Sequence, residues 1–200
     1  MSKMPIRRLI PGFAGGIAIL SLAACGGTST PRSFPPMTYD YLPQIRLNVA
    51  SVEIDNRFVP ASRDEVSSQA PVPPSVALRQ MGNDRLKPFG SSGKAVLVIK
   101  DASLVKGSNE VLGRMAVELD VYTSDNRRAG FATADVSQRR SGEISDLQGT
   151  LYDLTKTMMD RMNVELEFQA RRSLHDWILP DAPGAAVPEV KQQDLAPPKS

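Results

Sequence analysis

Two hundred residues, of which 41% are hydrophobic and 23% charged, are enough for one domain with a real core. A single cysteine excludes an internal disulfide, and a formal net charge of +2 is too small to mark a nucleic-acid-binding surface. Beyond the N-terminal apolar run no second run of membrane length occurs, so the rest of the chain predicts no transmembrane helix.

The chain opens with Lys3, Arg7 and Arg8, followed by Leu9 to Leu22, which is uncharged and mostly apolar (Ile10, Phe13, Ile17, Ile19, Leu20). Small residues, Ala23 and Ala24, then precede Cys25. A positive start, a short apolar run and a small-residue cut site are the three parts of a secretory signal peptide. The run is short for a membrane span, and Pro11, Gly12, Gly15 and Gly16 interrupt it. Lys3, Arg7 and Arg8 leave with the leader, so 21 of the 24 basic residues remain against 22 acidic ones, a charge near −1. The basicity is therefore a targeting feature and predicts no nucleic-acid partner. Ile6 before the Arg7-Arg8 pair, and Pro11 soon after it, favour general secretion over twin-arginine export.

Leu22-Ala23-Ala24-Cys25 resembles the lipobox of bacterial lipoproteins, a likeness that covers roughly the first 27 residues. It implies that a signal peptidase recognises Leu22, Ala23 and Ala24 and cuts just before Cys25. It implies too that Cys25 carries a diacylglycerol on its sulfur and an acyl chain on its new amino group. A single acyl chain binds a membrane reversibly, whereas several hold firmly, at about 0.8 kcal/mol per buried CH2. Gly26 stands where an aspartate signals inner-membrane retention in enteric lipoproteins, so the resemblance implies the periplasmic side of the outer membrane. The residues alone leave other readings open: a plain secretory cut after Ala24, an uncleaved anchor, or Cys25 as an ordinary buried thiol.

The domain plan expected is a signal peptide at 1–24, a lipidated flexible tether at 25–43, a folded domain at 44–179 and a disordered tail at 180–200. Gly26, Gly27, Pro31, Pro35, Pro36 and Pro43 give the tether its composition, with Phe34, Tyr39 and Tyr41 available to dock at the domain edge or the bilayer interface. Ile45, Leu47 and Val49 alternate, and Val52 and Ile54 alternate in the opposite phase, which predicts a strand with a bulge or bend at Ala50-Ser51. Residues 55–74 are polar, end in Pro71, Pro73 and Pro74, and predict a long loop. Ser75 is the expected N-cap of a helix whose face holds Leu78, Met81, Arg85 and Leu86, weakened by Gly82 and stopped by Pro88.

Phe89 to Gly93 reads as a turn, and the β-branched run Lys94 to Ile99 as a central strand covered on both faces and able to continue to Val105. After a turn at Lys106 to Asn109, Met115, Val117, Leu119 and Val121 alternate with Glu118, Asp120 and Tyr122, a one-sided strand. Ser124 to Arg127 turns the chain back into Ala129 to Val136. Ser145 with Gln148 forms an expected capping box. Leu147, Leu151, Leu154, Met158, Met162, Leu166, Ala170, Leu174 and Trp177 then make one apolar stripe, a helix of about 32 residues whose last turns project or meet a partner. The tail holds five prolines from Pro180 onward and no hydrophobic pattern.

The fold class expected is α+β: strand, helix, three strands, helix, with a four-stranded, mostly antiparallel sheet packed on helices. Across residues 44–179 this order resembles two groups of small envelope lipoproteins. One is the auxiliary lipoprotein of ABC-type transporters, the other the lipoprotein partner of the lipopolysaccharide-assembly barrel. Both place a lipobox and tether before such a domain.

Chemistry is sparse. The lipobox resemblance implies that Cys25 is used by the lipid, which leaves no thiol nucleophile or cysteine metal ligand. His175, the one histidine, sits beside Asp176 near a helix end and reads as a capping or surface group. Gly90 to Lys94 misses the phosphate-loop pattern at Pro88 and Ala95. Glu118 with Asp120, and Glu165 with Glu167, read as solvated faces in preference to a glycosidase pair. Met158, Met159 and Met162 read as core packing. The pairs Arg127-Arg128, Arg139-Arg140 and Arg171-Arg172 read as solvated surface, although anionic headgroups would also suit them. The expectation is a non-catalytic lipoprotein without metal or cofactor. It is attached to the membrane by its lipid and binds another envelope protein or lipid through the sheet edge, the 55–74 loop or the distal face of the last helix. An enzyme acting on envelope substrates, or a carrier with lipid inside the fold, are the alternatives.

Overall fold

The computed structural model describes residues 32–180. In chain order they form β1 (Ile45–Leu47), β2 (Ser51–Asn56), α1 (Pro74–Arg85), β3 (Leu86–Pro88), β4 (Lys94–Lys106), β5 (Glu110–Tyr122), β6 (Arg128–Ser141) and α2 (Leu147–Ser173). The class is α+β, as expected. The main sheet has the order β2-β4-β5-β6, with β2 parallel to β4 and the other two pairs antiparallel. Parallel pairing of β2 with β4 requires a crossover, which α1 supplies.

The first strand predicted from the sequence is two strands in two sheets. The phase slip at Ala50-Ser51 is where the chain leaves β1, which pairs in parallel with β3, and enters β2. Gly90 N–H donates to Val49 O and Phe89 N–H to Leu47 O, so the turn after β3 satisfies the bend. β4 also changes phase. Ile99 and Ala102 both face the helices, because a register shift between Ile99 and Asp101 absorbs one residue.

One face of the main sheet is packed by both helices. Leu97, Ile99, Leu104, Met115, Val117 and Leu119 meet Leu78, Met81, Leu151, Met158, Met162 and Leu166, all buried, in a single cluster. Each such aliphatic side chain contributes about 1.5–3 kcal/mol when fully removed from water. Met158, Met159 and Met162 are core, as expected. Gly82, read as a weak point in α1, has a packing reason. A Cβ there would stand 2.7 Å from Ile54 and 2.8 Å from Leu97, so its absence lets α1 approach the sheet.

Three local expectations are corrected. The N-cap of α2 is Asp146 and not Ser145, its carboxylate accepting from Gly149 N–H at 2.8 Å. α1 begins at Pro74, ahead of Ser75, because proline at the first helical position loses no intrahelical bond. α2 ends at Ser173, short of Trp177, and its end does not project. A 3-10 turn at His175–Trp177 leads back to β1, where Ile178 bridges Leu47 and Leu179 N–H donates to Arg46 O.

The 55–74 segment is also more ordered than its polarity suggests. Val66 N–H donates to Leu104 O and Lys106 N–H to Asp64 O, while the Glu65 carboxylate accepts from Leu104 N–H and Ser67 N–H. The edge of β4 beyond the reach of β2 is thereby satisfied without a full strand.

Candidate functional site

Cys25, the expected lipid-bearing residue, and Leu22, Ala23 and Ala24, the expected recognition residues, lie outside the described residues. The first described residues on their C-terminal side are packed onto the domain. Arg32 pairs with Asp146 and Asp153 near the start of α2, its closest contact being 2.6 Å to Asp153. The Phe34 ring lies 5.2 Å from that of Tyr152, whose hydroxyl donates to Pro35 O. Met37 and Tyr39 are buried in the core, and Tyr39 N–H donates to the Asp84 carboxylate at 2.8 Å. Packing onto the domain is therefore already present at Arg32, well before residue 44. Prolines lower the cost of ordering this stretch, and its scattered apolar side chains find partners only on the folded surface. Of the aromatic residues expected to dock, Phe34 and Tyr39 do so, while Tyr41 stands exposed. Burial pushes the Tyr39 phenol above its ordinary pKa, and its hydroxyl has no hydrogen-bond partner among the described residues.

The segment is held by Arg85. This side chain is 1% exposed, at the end of α1. Its guanidinium donates to Pro43 O from Nε (3.2 Å) and Nη2 (3.1 Å). Nη1 donates to Asn163 O and Oδ1, and Nη2 also to the Glu167 carboxylate. Burial raises the pKa of Glu167, but hydrogen bonds from Arg85 and Arg171 outweigh it and hold the carboxyl below the usual range. Glu167 is thus an anchor for a buried cation and no solvated acid. Glu165 accepts from Gln169.

Among the described residues no helix covers the second face of the main sheet. Val96 and Val98 lie on it, yet are buried by longer neighbours from the flanking strands. Asp120 stands opposite Val96 and Glu118 opposite Val98. Arg128 reaches Asp120 at 2.7 Å and Glu118 at 2.7 Å, and stacks 4.2 Å from the Phe131 ring centroid. Lys100 closes the chain of charges on Glu118 at 3.1 Å. Its hydrogen bond, with the nearby Arg128, holds the Glu118 carboxyl below its ordinary pKa. Asp120 is 6% exposed, so the pair expected to be solvated is an interlocked ion network. A cleft of about 450 Å³ at the β2 end of this face is lined by Glu53, Asp55, Arg57, Lys94, Val98 and Tyr122 among others.

The other sequence candidates fall apart spatially or into structural roles. Gly93 takes φ +72 in a turn that leads into a strand, and Lys94 pairs with Glu53, so no phosphate loop forms. His175 and Asp176 face each other at 3.2 Å, well exposed. Among the described residues no group of three or more His, Cys, Asp or Glu side chains is placed to hold a metal, and no helix is long and apolar enough to cross a membrane. Arg127 pairs with Asp125, and Arg139 lies 3.5 Å from Glu110.

The distal face of the last helix was expected as a contact surface, but sequence reading did not single out its exposed apolar residues. Val164 and Phe168 lie on α2 outside its buried stripe, and Val164 shares a cleft with Tyr41; all three are exposed. Their spacing of four, out of phase with Leu166 and Ala170, is the signal that could have found them.

No protein-family model matches the chain, and no curated protein does. Among solved structures it is similar to a candidate lipoprotein from Caulobacter crescentus CB15, at 17% identity and TM-score 0.33, covering 58% of this chain and 84% of that one. A Xanthomonas campestris protein of the DUF330 family is 10% identical, with TM-score 0.38 and coverage of 70% and 91%. A minor lipoprotein from Acinetobacter baumannii is 18% identical, with TM-score 0.32 and coverage of 66% and 97%.

Proposed function

We propose that this chain is a lipoprotein of the bacterial cell envelope, anchored through Cys25 on the periplasmic side of the outer membrane. It acts without catalysis, as a binding or accessory component in the transport or assembly of envelope lipid or protein. The observation that carries the reading is Leu22-Ala23-Ala24-Cys25, closing an apolar run behind a basic start and holding the one cysteine of the chain. The non-catalytic part is supported by the partners of the acidic side chains: Asp120, Glu118 and Glu167 are all engaged by arginine or lysine.

Metabolic labelling with a clickable fatty acid tests the address. The full chain takes up label and fractionates with membranes, while Cys25→Ser does neither. Label on the serine variant, or an unmodified thiol on the mature wild type, refutes it. Crosslinking in cells followed by recovery of a transporter or an assembly barrel tests the role. Hydrolytic turnover by the purified protein, lost on changing one acidic residue, would replace it with an enzyme.

A further inference from the structure

We propose that the outward face of α2 is a self-association surface, covered by a second copy of this chain across a two-fold axis. This goes beyond the anchored-lipoprotein reading and does not depend on it. Val164 (71% exposed) and Phe168 (56% exposed) lie opposite the buried stripe of α2, one turn apart, and Tyr41 (71% exposed) shares a cleft with Val164. Scattered exposed apolar residues need no explanation, but two stacked one turn apart on a rigid helix, with a third across a cleft from Val164, do.

Residues four apart on a helix form a ridge, and this one reads Asp160, Val164, Phe168, Arg172. It is acidic at one end, basic at the other and apolar between. An antiparallel second copy, related by a two-fold axis through the ridge centre, places Val164 against Phe168 of that copy and Asp160 against its Arg172. Symmetry repeats each pair. Ridges of this class interdigitate at a crossing angle near −50°, the commonest helix–helix geometry.

A parallel pairing would set Asp160 against Asp160 and Arg172 against Arg172, so the charges select the antiparallel arrangement. The Arg172 guanidinium has no hydrogen bond or ion pair among the described residues, and the Asp160 carboxylate has only its exposed contact with Lys156 at 3.2 Å. An open cleft of about 150 Å³ flanks the ridge at Val164, lined by Tyr41, Leu42 and Pro43 together with the polar Asp160 and Glu167.

The test places a photocrosslinking amino acid at Phe168 of the full chain in intact cells. The expected product has twice the mass of the chain, with the crosslink mapping to the 160–172 ridge or Tyr41 of a second copy. Asp160→Arg and Arg172→Asp each set like charges together and lower the yield roughly 10-fold or more, and the double exchange restores it. Melting temperatures of the purified variants equal to wild type show that losses come from association. Crosslinks only to a different protein or only to lipid, a product of monomer mass alone, or a double exchange that fails to restore the yield each overturn the proposal.

Discussion

Replacing Arg85 tests whether residues 32–43 are part of the domain. Arg85→Met keeps a long unbranched side chain in place but removes every donor. Pro43 O then loses both of its guanidinium contacts, Asn163 Oδ1 loses an N–H, and the partly buried Glu167 carboxylate loses its ion pair. Breaking a buried ion pair from one side costs about 3–5 kcal/mol, because the remaining charge is stranded. Glu167 is 28% exposed and keeps Arg171, which moves the expectation to the lower end, about 3 kcal/mol. That is a large part of the ~5–15 kcal/mol that holds a domain together. Urea unfolding reads it as a lowered midpoint at unchanged slope, and limited proteolysis as faster cutting within 32–43. Glu167→Gln keeps an acceptor but leaves the buried Arg85 cation without its counter-charge, so its cost also lies at about 3 kcal/mol. A loss below about 1 kcal/mol for Arg85→Met, with cutting unchanged, would refute the clamp.

Three further outcomes follow from the geometry. Gly93→Ala places a Cβ 2.4 Å from Tyr122 O at φ +72, and lowers stability by about 1–3 kcal/mol in thermal unfolding. Asp146→Ala removes the N-cap of α2 and costs about 1 kcal/mol, read as a lower melting temperature by circular dichroism at 222 nm; an unchanged melt would dismiss the cap. Glu167 and Glu118 have folded-state pKa values below the ordinary glutamate range, so their contribution is present above that range and lost as pH falls through and below it. Urea midpoints measured from neutral to strongly acidic pH fall for wild type and fall less for Glu167→Gln. Equal slopes would contradict the assignment.

The order of elements was legible because period-two and period-3.6 patterns are local. The alternation from Met115 to Val121 and the stripe from Leu151 to Ala170 each name one buried face, and the chain has few ways to cover both. The motif on which the proposed address rests, Leu22 to Cys25, is local as well, and it lies outside the described residues. Pairing was not legible. That β2 joins β4 across α1, while β1 goes to β3 and receives Ile178, depends on contacts between residues far apart in the chain. The role of residues 32–43 was hidden by their prolines, whose composition matches a spacer; only the pockets offered by α1 and α2 bury Met37 and Tyr39. Charge was the least readable layer. Arg85 lies in a helical face, and Glu118, Asp120 and Glu167 lie in polar positions, but their becoming buried or interlocked ions required the tertiary fold to bring each opposite charge within hydrogen-bond reach.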